Sequence, residues 1–381
     1  MLRSRLSAST IHKGAMAVAI SLPTTGSPKP SDNKSHHQGQ GFKNPWPSTG
    51  TLPGLSAIIR ARLVGEWRNV DVPKIPSLKV LTPAFGVEAE DRLRATWLGH
   101  ACFFVQHPGP QGLSVLYDPV FSLRCSPSQW LGPKRVTKIP CEIEDIPHVD
   151  IVIISHNHYD HLDLNTIKRL AARSKAPHFF VPMGNASWFH SLGIEGVTEL
   201  DWWDERDVGI KDESTVPRTG RIGALPCQHI ANRWPTDHGK TLWASWEVRS
   251  GGKKVYFAGD TGYRHVPKMD PSVDEYAEER PHCPAFEQIG NLRGPYDFAM
   301  IPIGAYSPRH IMSSVHCDPY DSVRLFKDIK AKSAVSMHHS TFVLTDEPLL
   351  EPPSLLEKAL DGQGIPRQDF RSIPIGDSVE I

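Results

Sequence analysis

Val149-Asp150-Ile151-Val152-Ile153-Ile154 leads directly into Ser155-His156-Asn157-His158-Tyr159-Asp160-His161-Leu162-Asp163, nine residues that hold three histidines and two carboxylates. The β-branched run reads as a buried strand. Leu164 to Arg173, with apolar residues at Leu164, Ile167, Leu170 and Ala171, reads as an amphipathic helix. The array His-x-His-x-Asp-His therefore occupies a strand-to-helix loop. Side chains alternate in extended backbone, so His156 and His158 face one ion, and the following turn directs Asp160 and His161 toward a second.

Two ions need more ligands than one loop can supply, so His, Asp or Cys is expected at the ends of other strands. Leu225-Pro226-Cys227-Gln228-His229, Val255-Tyr256-Phe257-Ala258-Gly259-Asp260-Thr261-Gly262 and Ala334-Val335-Ser336-Met337-His338-His339 are each a short apolar run leading to such residues. The glycines around Asp260 let the backbone approach an ion closely, and a carboxylate there can bridge two cations. Taken singly, each of these histidines reads equally well as a satisfied core residue. Their number and order carry the argument.

That ordered set resembles the metallo-β-lactamase superfamily. Further runs resemble its N-acyl-phosphatidylethanolamine-hydrolysing phospholipase D family: Trp97-Leu98-Gly99-His100-Ala101, Asp118-Pro119-Val120-Phe121-Ser122, Ser126-Pro127-Ser128-Gln129, Gly132-Pro133-Lys134-Arg135, Glu199-Leu200-Asp201-Trp202-Trp203, Ile301-Pro302-Ile303-Gly304-Ala305-Tyr306 and His316-Cys317-Asp318-Pro319. The resemblance spans roughly residues 42 to 365. It implies an α/β fold, the αββα sandwich of two mixed β-sheets packed face to face with helices on the outer sides. It also implies two zinc ions per subunit, one held by His156, His158 and His229, the other by Asp160, His161 and His338, with Asp260 bridging. His338 is preferred over His339 because the family pattern His-x-x-Thr-Phe is matched by His338, Thr341 and Phe342, although His339 replaces the usual aromatic residue. Asp160 and His316 are the catalytic candidates, His316 either contacting the phosphate or protonating the leaving group, or else serving only the fold.

The chemistry follows from the ligand types. A set of His and Asp without Cys suits zinc, and iron or manganese would suit it too. Two neighbouring cations lower the pKa of a shared water and neutralise phosphodiester oxygens as phosphorus becomes five-coordinate, so hydrolysis by hydroxide attack on phosphorus is the natural reaction. For the family's substrate the products would be phosphatidic acid and an N-acylethanolamine. Asp163 would either orient a ligand imidazole or cap the helix.

Composition narrows the partners. Lys and Arg total 42 against 42 for Asp and Glu, so no excess of positive charge marks a nucleic-acid binder. The local pair Lys134-Arg135 could still meet anionic lipid head groups. The six cysteines show no Cys-x-x-Cys pair, which fits a reducing compartment or inert buried thiols. Residues 1–41 are rich in Ser, Thr, Pro, Gly and Lys and read as a tail without fixed structure, with 42–381 as one hydrolase domain. The first 31 residues carry Arg3, Arg5, Lys13 and Lys29 and no acid, a composition that also fits a mitochondrial presequence. No run of about 18 apolar residues occurs, so no spanning helix is expected, and the enzyme would be intracellular and peripheral to the membrane.

Residues 54–67, with Leu55, Ile58, Ile59, Leu63 and Trp67 interleaved with arginines, read as a basic amphipathic helix that either lies on a membrane or packs on the core. Residues 264–282 form a charged insertion between Tyr263 and Cys283, where the family runs almost directly from one motif to the next. It reads as a passive loop or as a lid. The readings that remain are a zinc phospholipase of the D type acting at a membrane surface, which the resemblance implies to be a homodimer; a lactonase or phosphodiesterase for a small soluble ester; and a metal-binding scaffold without turnover.

Overall fold

The computed structural model describes residues 16–31, 34–50, 78–86, 91–212, 216–270, 274–276 and 279–381, with Leu52, Arg60 and Leu63. Its strands form two large mixed sheets. The seven-stranded sheet runs in the order Ser378–Glu380, Arg94–Gly99, Cys102–Gln106, Ser114–Tyr117, Ile151–Ile153, His178–Pro182 and Val197–Leu200. Its first three pairings are antiparallel and its last three parallel. The eight-stranded sheet runs Ala17–Ser21, Glu205–Lys211, Arg218–Leu225, Ser245–Ser250, Lys253–Phe257, Phe298–Pro302, Ala334–Met337 and Phe370–Arg371, and it too changes from antiparallel to parallel.

Period-two alternation decides what each strand residue meets. Ile151 and Ile153 point into the core shared with Ile222, Trp246, Val255 and Phe257 of the other sheet. Val152 and Ile154 point the opposite way, onto Ile167 and Leu170 of the helix Leu164–Ala171 and Phe189 of Ala186–His190. On the eight-stranded sheet the helices Ala285–Leu292, Pro319–Asp328 and Glu351–Gly362 supply Phe286, Val323 and Leu356 to the core. Strands covered on both faces must be apolar throughout, which is why Ile151–Ile153 shows no alternation of polarity.

The stretch expected to be a tail departs from that reading. Ala17–Ser21 is an antiparallel edge strand on Glu205–Lys211, with Ala17 opposite Lys211 and Ser21 opposite Asp207. Met16, Val18 and Ile20 pack against the core, so a short period-two pattern inside a polar segment completes the sheet edge. A second anchor lies at Asp201, which accepts from His36 Nε2 at 2.7 Å and His37 Nε2 at 2.8 Å and also pairs with Lys34. Residues 1–15 and most of the expected helix 54–67 lie outside the described residues.

His107 carries a pH-dependent part of the stability. Its Nδ1 donates to Ser250 O at 3.1 Å, and burial pushes its pKa down from 6.5 to about 4. A folded pKa below the unfolded one means stability present above pH 6.5 is lost as pH falls toward 4. Denaturant titrations should show wild type losing roughly 3 kcal/mol more than His107→Gln between pH 7 and pH 4. Parallel losses in the two proteins would assign the acid sensitivity to other groups.

Candidate metal centre

The site forms where loops leave the carboxyl ends of strands. His156, His158, Asp160 and His161 follow Ile151–Ile153, His229 follows Arg218–Leu225, Asp260 follows Lys253–Phe257, and His338 directly follows Ala334–Met337. Three of the seven non-glycine residues with positive φ among the described residues border the site: His100 at 52°, Asp118 at 36° and His338 at 62°. Such backbone is costly and is kept where it aims a functional group. Gly259, at φ 59°, would place a Cβ 2.6 Å from that of Ser155, and a Cβ on Gly262 would meet Ser313 O at 2.6 Å. Only glycine lets the Asp260 turn pack this closely.

Asp260 is the centre of the constellation. Its Oδ2 lies 3.0 Å from His338 Nε2, 3.1 Å from His161 Nε2, 3.8 Å from His229 Nε2 and 3.9 Å from His156 Nε2. On one side, His158 Nδ1 is 2.8 Å from His156 Nε2 and 3.4 Å from His229 Nε2. On the other, Asp160 Oδ2 is 3.4 Å from His161 Nε2 and 3.5 Å from His338 Nε2. Donor atoms of His156, His158 and His229 thus converge as one cluster, and those of Asp160, His161 and His338 as a second.

The second cluster has a member that the motif reading did not single out. His100 Nε2 lies 2.8 Å from Asp160 Oδ2, and the His100 ring lies 4.0 Å from that of His338. The available signal was its place at the end of an apolar run, Trp97-Leu98-Gly99, the same rule that marked the other ligands. His339 turns away: its Nδ1 contacts Ser340 Oγ at 2.8 Å, its Nε2 contacts Ser336 Oγ at 3.1 Å, and its ring packs on Trp97. His316 does reach the site, its ring 5.2 Å from that of His229 and 5.3 Å from that of His338, with a buried Nδ1 that has no hydrogen-bond partner.

The imidazoles are held from behind. His161 Nδ1 donates to Asp118 Oδ2 at 2.7 Å, His229 Nδ1 to Val315 O at 2.8 Å, His156 Nδ1 meets Ser155 Oγ at 2.9 Å, and His158 Nε2 meets Asn232 Oδ1 at 3.2 Å. Such partners fix which ring nitrogen faces the centre. Asp163, one candidate for this task, instead caps the helix, accepting from Asn165 N at 3.2 Å and Ser122 N at 2.9 Å. Asp118 orients His161 in its place.

The electrostatics of the pocket fit a cation. Burial pushes His156 and His229 well below the usual histidine range, so each presents a neutral nitrogen. Burial also opposes charge on His161 and His338, but the neighbouring carboxylates together outweigh it, Asp260, Asp160 and Asp118 raising His161 well above its ordinary value and Asp260 and Asp160 raising His338 to about 9. Asp160 and Asp260 fall well below the carboxylate range, their burial overcome by these histidines. Asp260 Oδ1, His161 Nε2 and His338 Nε2 are buried without a hydrogen-bond partner. Orphaned donor atoms converging on one carboxylate fit a bound cation, because buried polar groups without partners are otherwise expensive.

These features agree with the family comparison, in which residues 114–339 match the family described as Beta-lactamase superfamily domain. The chain belongs to the metallo-β-lactamase superfamily. It is a metal-dependent hydrolase of that superfamily. The chain is similar to N-acyl-phosphatidylethanolamine-hydrolyzing phospholipase D 1 of Caenorhabditis elegans, with 35% identity over 90% of this chain and 94% of the relative. It is also similar to the mitochondrial N-acyl-phosphatidylethanolamine-hydrolyzing phospholipase D of Saccharomyces cerevisiae, with 33% identity over 71% of this chain and 52% of that one. Among solved structures, a possible metal-dependent hydrolase from Veillonella parvula aligns with a TM-score of 0.51 at 14% identity, covering 76% of this chain and all of that one (100%). The superfamily fold is thus shared where sequence similarity is low.

The insertion is tied into this superfamily frame. Its ends meet where Cys283 N donates to Tyr263 O at 2.7 Å, so the segment leaves and returns at one point. Loop length of this kind costs little stability. Arg264, fully buried, donates through Nε to Asp321 Oδ1 at 2.8 Å, while Arg309 contacts Asp321 Oδ2 at 2.7 Å and Glu275 Oε1 at 3.0 Å. Tyr276 hydroxyl donates to Asp318, two residues after His316. Removing the carboxylate of Asp321 takes the closest ion-pair partner from the buried Arg264 and one of several from Arg309, so Asp321→Ala should cost about 3–5 kcal/mol in a denaturant titration. A loss under about 1 kcal/mol would show that the network is dispensable.

Proposed function

We propose that this protein hydrolyses N-acyl-phosphatidylethanolamine to phosphatidic acid and an N-acylethanolamine. What carries the reading is the convergence of two imidazole–carboxylate clusters on Asp260, in a chain that matches a phospholipase D of this specificity over 94% of that protein's length. The proposed ligands are His156, His158 and His229 for one zinc ion and Asp160, His161 and His338 for the other, with Asp260 between them. Two such ions supply hydroxide from water at neutral pH and counter-charge for a phosphodiester.

The chain's own groups set the geometry. Asp118, Val315 O, Ser155 and Asn232 fix the imidazoles, so nothing has to reorganise as charge develops. His316, whose ring lies 5.2 Å from that of His229 and 5.3 Å from that of His338 and whose buried Nδ1 has no hydrogen-bond partner, would hydrogen-bond a phosphoryl oxygen or the departing alkoxide. In the reaction a water oxygen bonds to phosphorus, the bond from phosphorus to the N-acylethanolamine oxygen breaks, and that oxygen takes up a proton. A cleft of about 790 Å³ lined by Phe42, Trp46, Leu52, Ile230 and Trp243 begins beside His229, whose carbonyl accepts from Asn44 Nδ2 at 2.7 Å. Gln38, Lys43, His238 and Lys240 share its lining, so the cleft suits an amphipathic substrate with an acyl chain and a polar linkage.

The yeast relative's mitochondrial designation, together with the absence of acidic residues from positions 1–31, supports a mitochondrial address. No described helix is long and apolar enough to cross a membrane. The test is product analysis by mass spectrometry with N-acyl-phosphatidylethanolamine, phosphatidylcholine and a simple lactone in mixed micelles. The expected result is N-acylethanolamine with phosphatidic acid, lost on chelation and restored by zinc. An opened lactone without lipid products would move the assignment to the small-ester branch.

A further inference from the structure

Nine large apolar residues are exposed among the described residues, and three of them, Leu123, Trp130 and Leu131, lie on one loop. Trp130 is 87% exposed and Leu131 74%. The loop that presents them is braced. Gln129 clasps Arg124 through Oε1 to its N–H at 3.1 Å and Nε2 to its carbonyl at 2.9 Å, Cys125 N donates to Pro133 O at 3.2 Å, and the Arg124 guanidinium donates to Gly132 O. The side chains at the tip are therefore held out by fixed backbone, with Pro127, Pro133 and a left-handed Gly132 at φ 97° shaping the turn.

Two further exposed apolar residues are tied to this loop through packed neighbours. Leu164, 37% exposed, opens the helix whose cap Asp163 bonds Ser122 Oγ at 2.8 Å. Trp234, 59% exposed, follows Arg233, whose guanidinium lies 4.1 Å over the ring of Tyr159, and Tyr159 packs against Cys125, Val120 and Phe342. Phe342 in turn meets the His100 ring edge-on at 5.2 Å. The apolar prominence thus stands on the wall of the metal centre.

Charge completes the pattern. From Pro119 to Cys141 the chain contains no Asp or Glu, and it carries Arg124, Lys134, Arg135 and Lys138. Arg135 is turned inward, donating to Val120 O at 2.6 Å, while Lys134 and Lys138 are exposed. An aromatic and aliphatic tip flanked by lysines matches the interface of an anionic bilayer, where tryptophan sits at head-group depth and each nearby cation adds attraction.

The geometry points to the loop Ser122–Lys134 as the membrane-docking element of this enzyme, with Trp130 and Leu131 entering an anionic lipid surface and bringing the centre to its substrate. This rests on the lipid reading above, and the test separates the two. Full-length zinc-loaded protein is sedimented with phosphatidylcholine vesicles, with and without phosphatidylglycerol, and turnover is measured separately in detergent micelles. Trp130→Ser combined with Leu131→Ser should weaken vesicle binding by at least about tenfold while micellar turnover and melting temperature stay unchanged. Lys134→Glu with Lys138→Glu should remove the preference for phosphatidylglycerol. Leu22→Ser, at a site 73% exposed just after the edge strand Ala17–Ser21 of the other sheet, should bind as wild type does. Unchanged binding by the double serine variant, or an equal loss in Leu22→Ser, would overturn the assignment of the loop. Vesicle binding through Trp130 without lipid turnover in micelles would instead overturn the proposed reaction and leave the docking element standing.

Discussion

Replacing Asp260 by asparagine is expected to lower turnover by well over a hundredfold, beyond the roughly 10–100-fold typical of losing an outer partner of a metal ligand, with the fold retained. Asp260 Oδ2 lies within 3.0–3.9 Å of imidazole nitrogens from both clusters, so its charge is shared by every donor facing it. Asparagine keeps the volume in a turn where Gly259 leaves no room for more, but it removes the charge on which the imidazoles of both clusters converge. Metal analysis of the variant should show loss of at least one of the two proposed ions, and circular dichroism should be unchanged. Turnover near that of wild type would remove Asp260 from the bridging position.

The adjacent histidines should behave oppositely. His338→Ala deletes a nitrogen 3.0 Å from Asp260 and 3.5 Å from Asp160, and should also lower activity by more than about a hundredfold. His338 has φ 62° and its carbonyl lies where a Cβ on Gly304 would meet it at 2.0 Å, so the backbone there is fixed by its neighbours. His338→Asn tolerates that left-handed conformation and serves as the control for strain. His339→Ala loses contacts with Ser336, Ser340 and Trp97 and should cost about 1–3 kcal/mol of stability with turnover nearly intact. The reverse ranking in activity would place His339, not His338, at the centre.

The parts legible in sequence were those in which many chemical groups crowd into a few residues. The run from His156 to His161 announces itself, and Asp260 is marked by its flanking glycines. His100 and Asp118 were harder to find because each is a single polar residue after an apolar strand, and their partners, Asp160 and His161, lie 60 and 43 residues away. Asp163 had two readings in sequence because it adjoins the histidine array, and the structure shows the helix cap, with its carboxylate also accepting from the amides of Phe121 and Ser122. Ala17–Ser21 was concealed by its surroundings, since the backbone partners that make it a strand belong to Glu205–Lys211. Propensity cannot report a pairing whose other half is elsewhere in the chain.

The central claim, hydrolysis at phosphorus of an N-acylated ethanolamine phospholipid, is tested most directly by running the zinc-loaded enzyme with N-acyl-phosphatidylethanolamine in water enriched in oxygen-18 and weighing both products. Heavy oxygen is expected in the phosphate of phosphatidic acid and none in the N-acylethanolamine. Label in the N-acylethanolamine hydroxyl, or no turnover of this lipid at all, would contradict it.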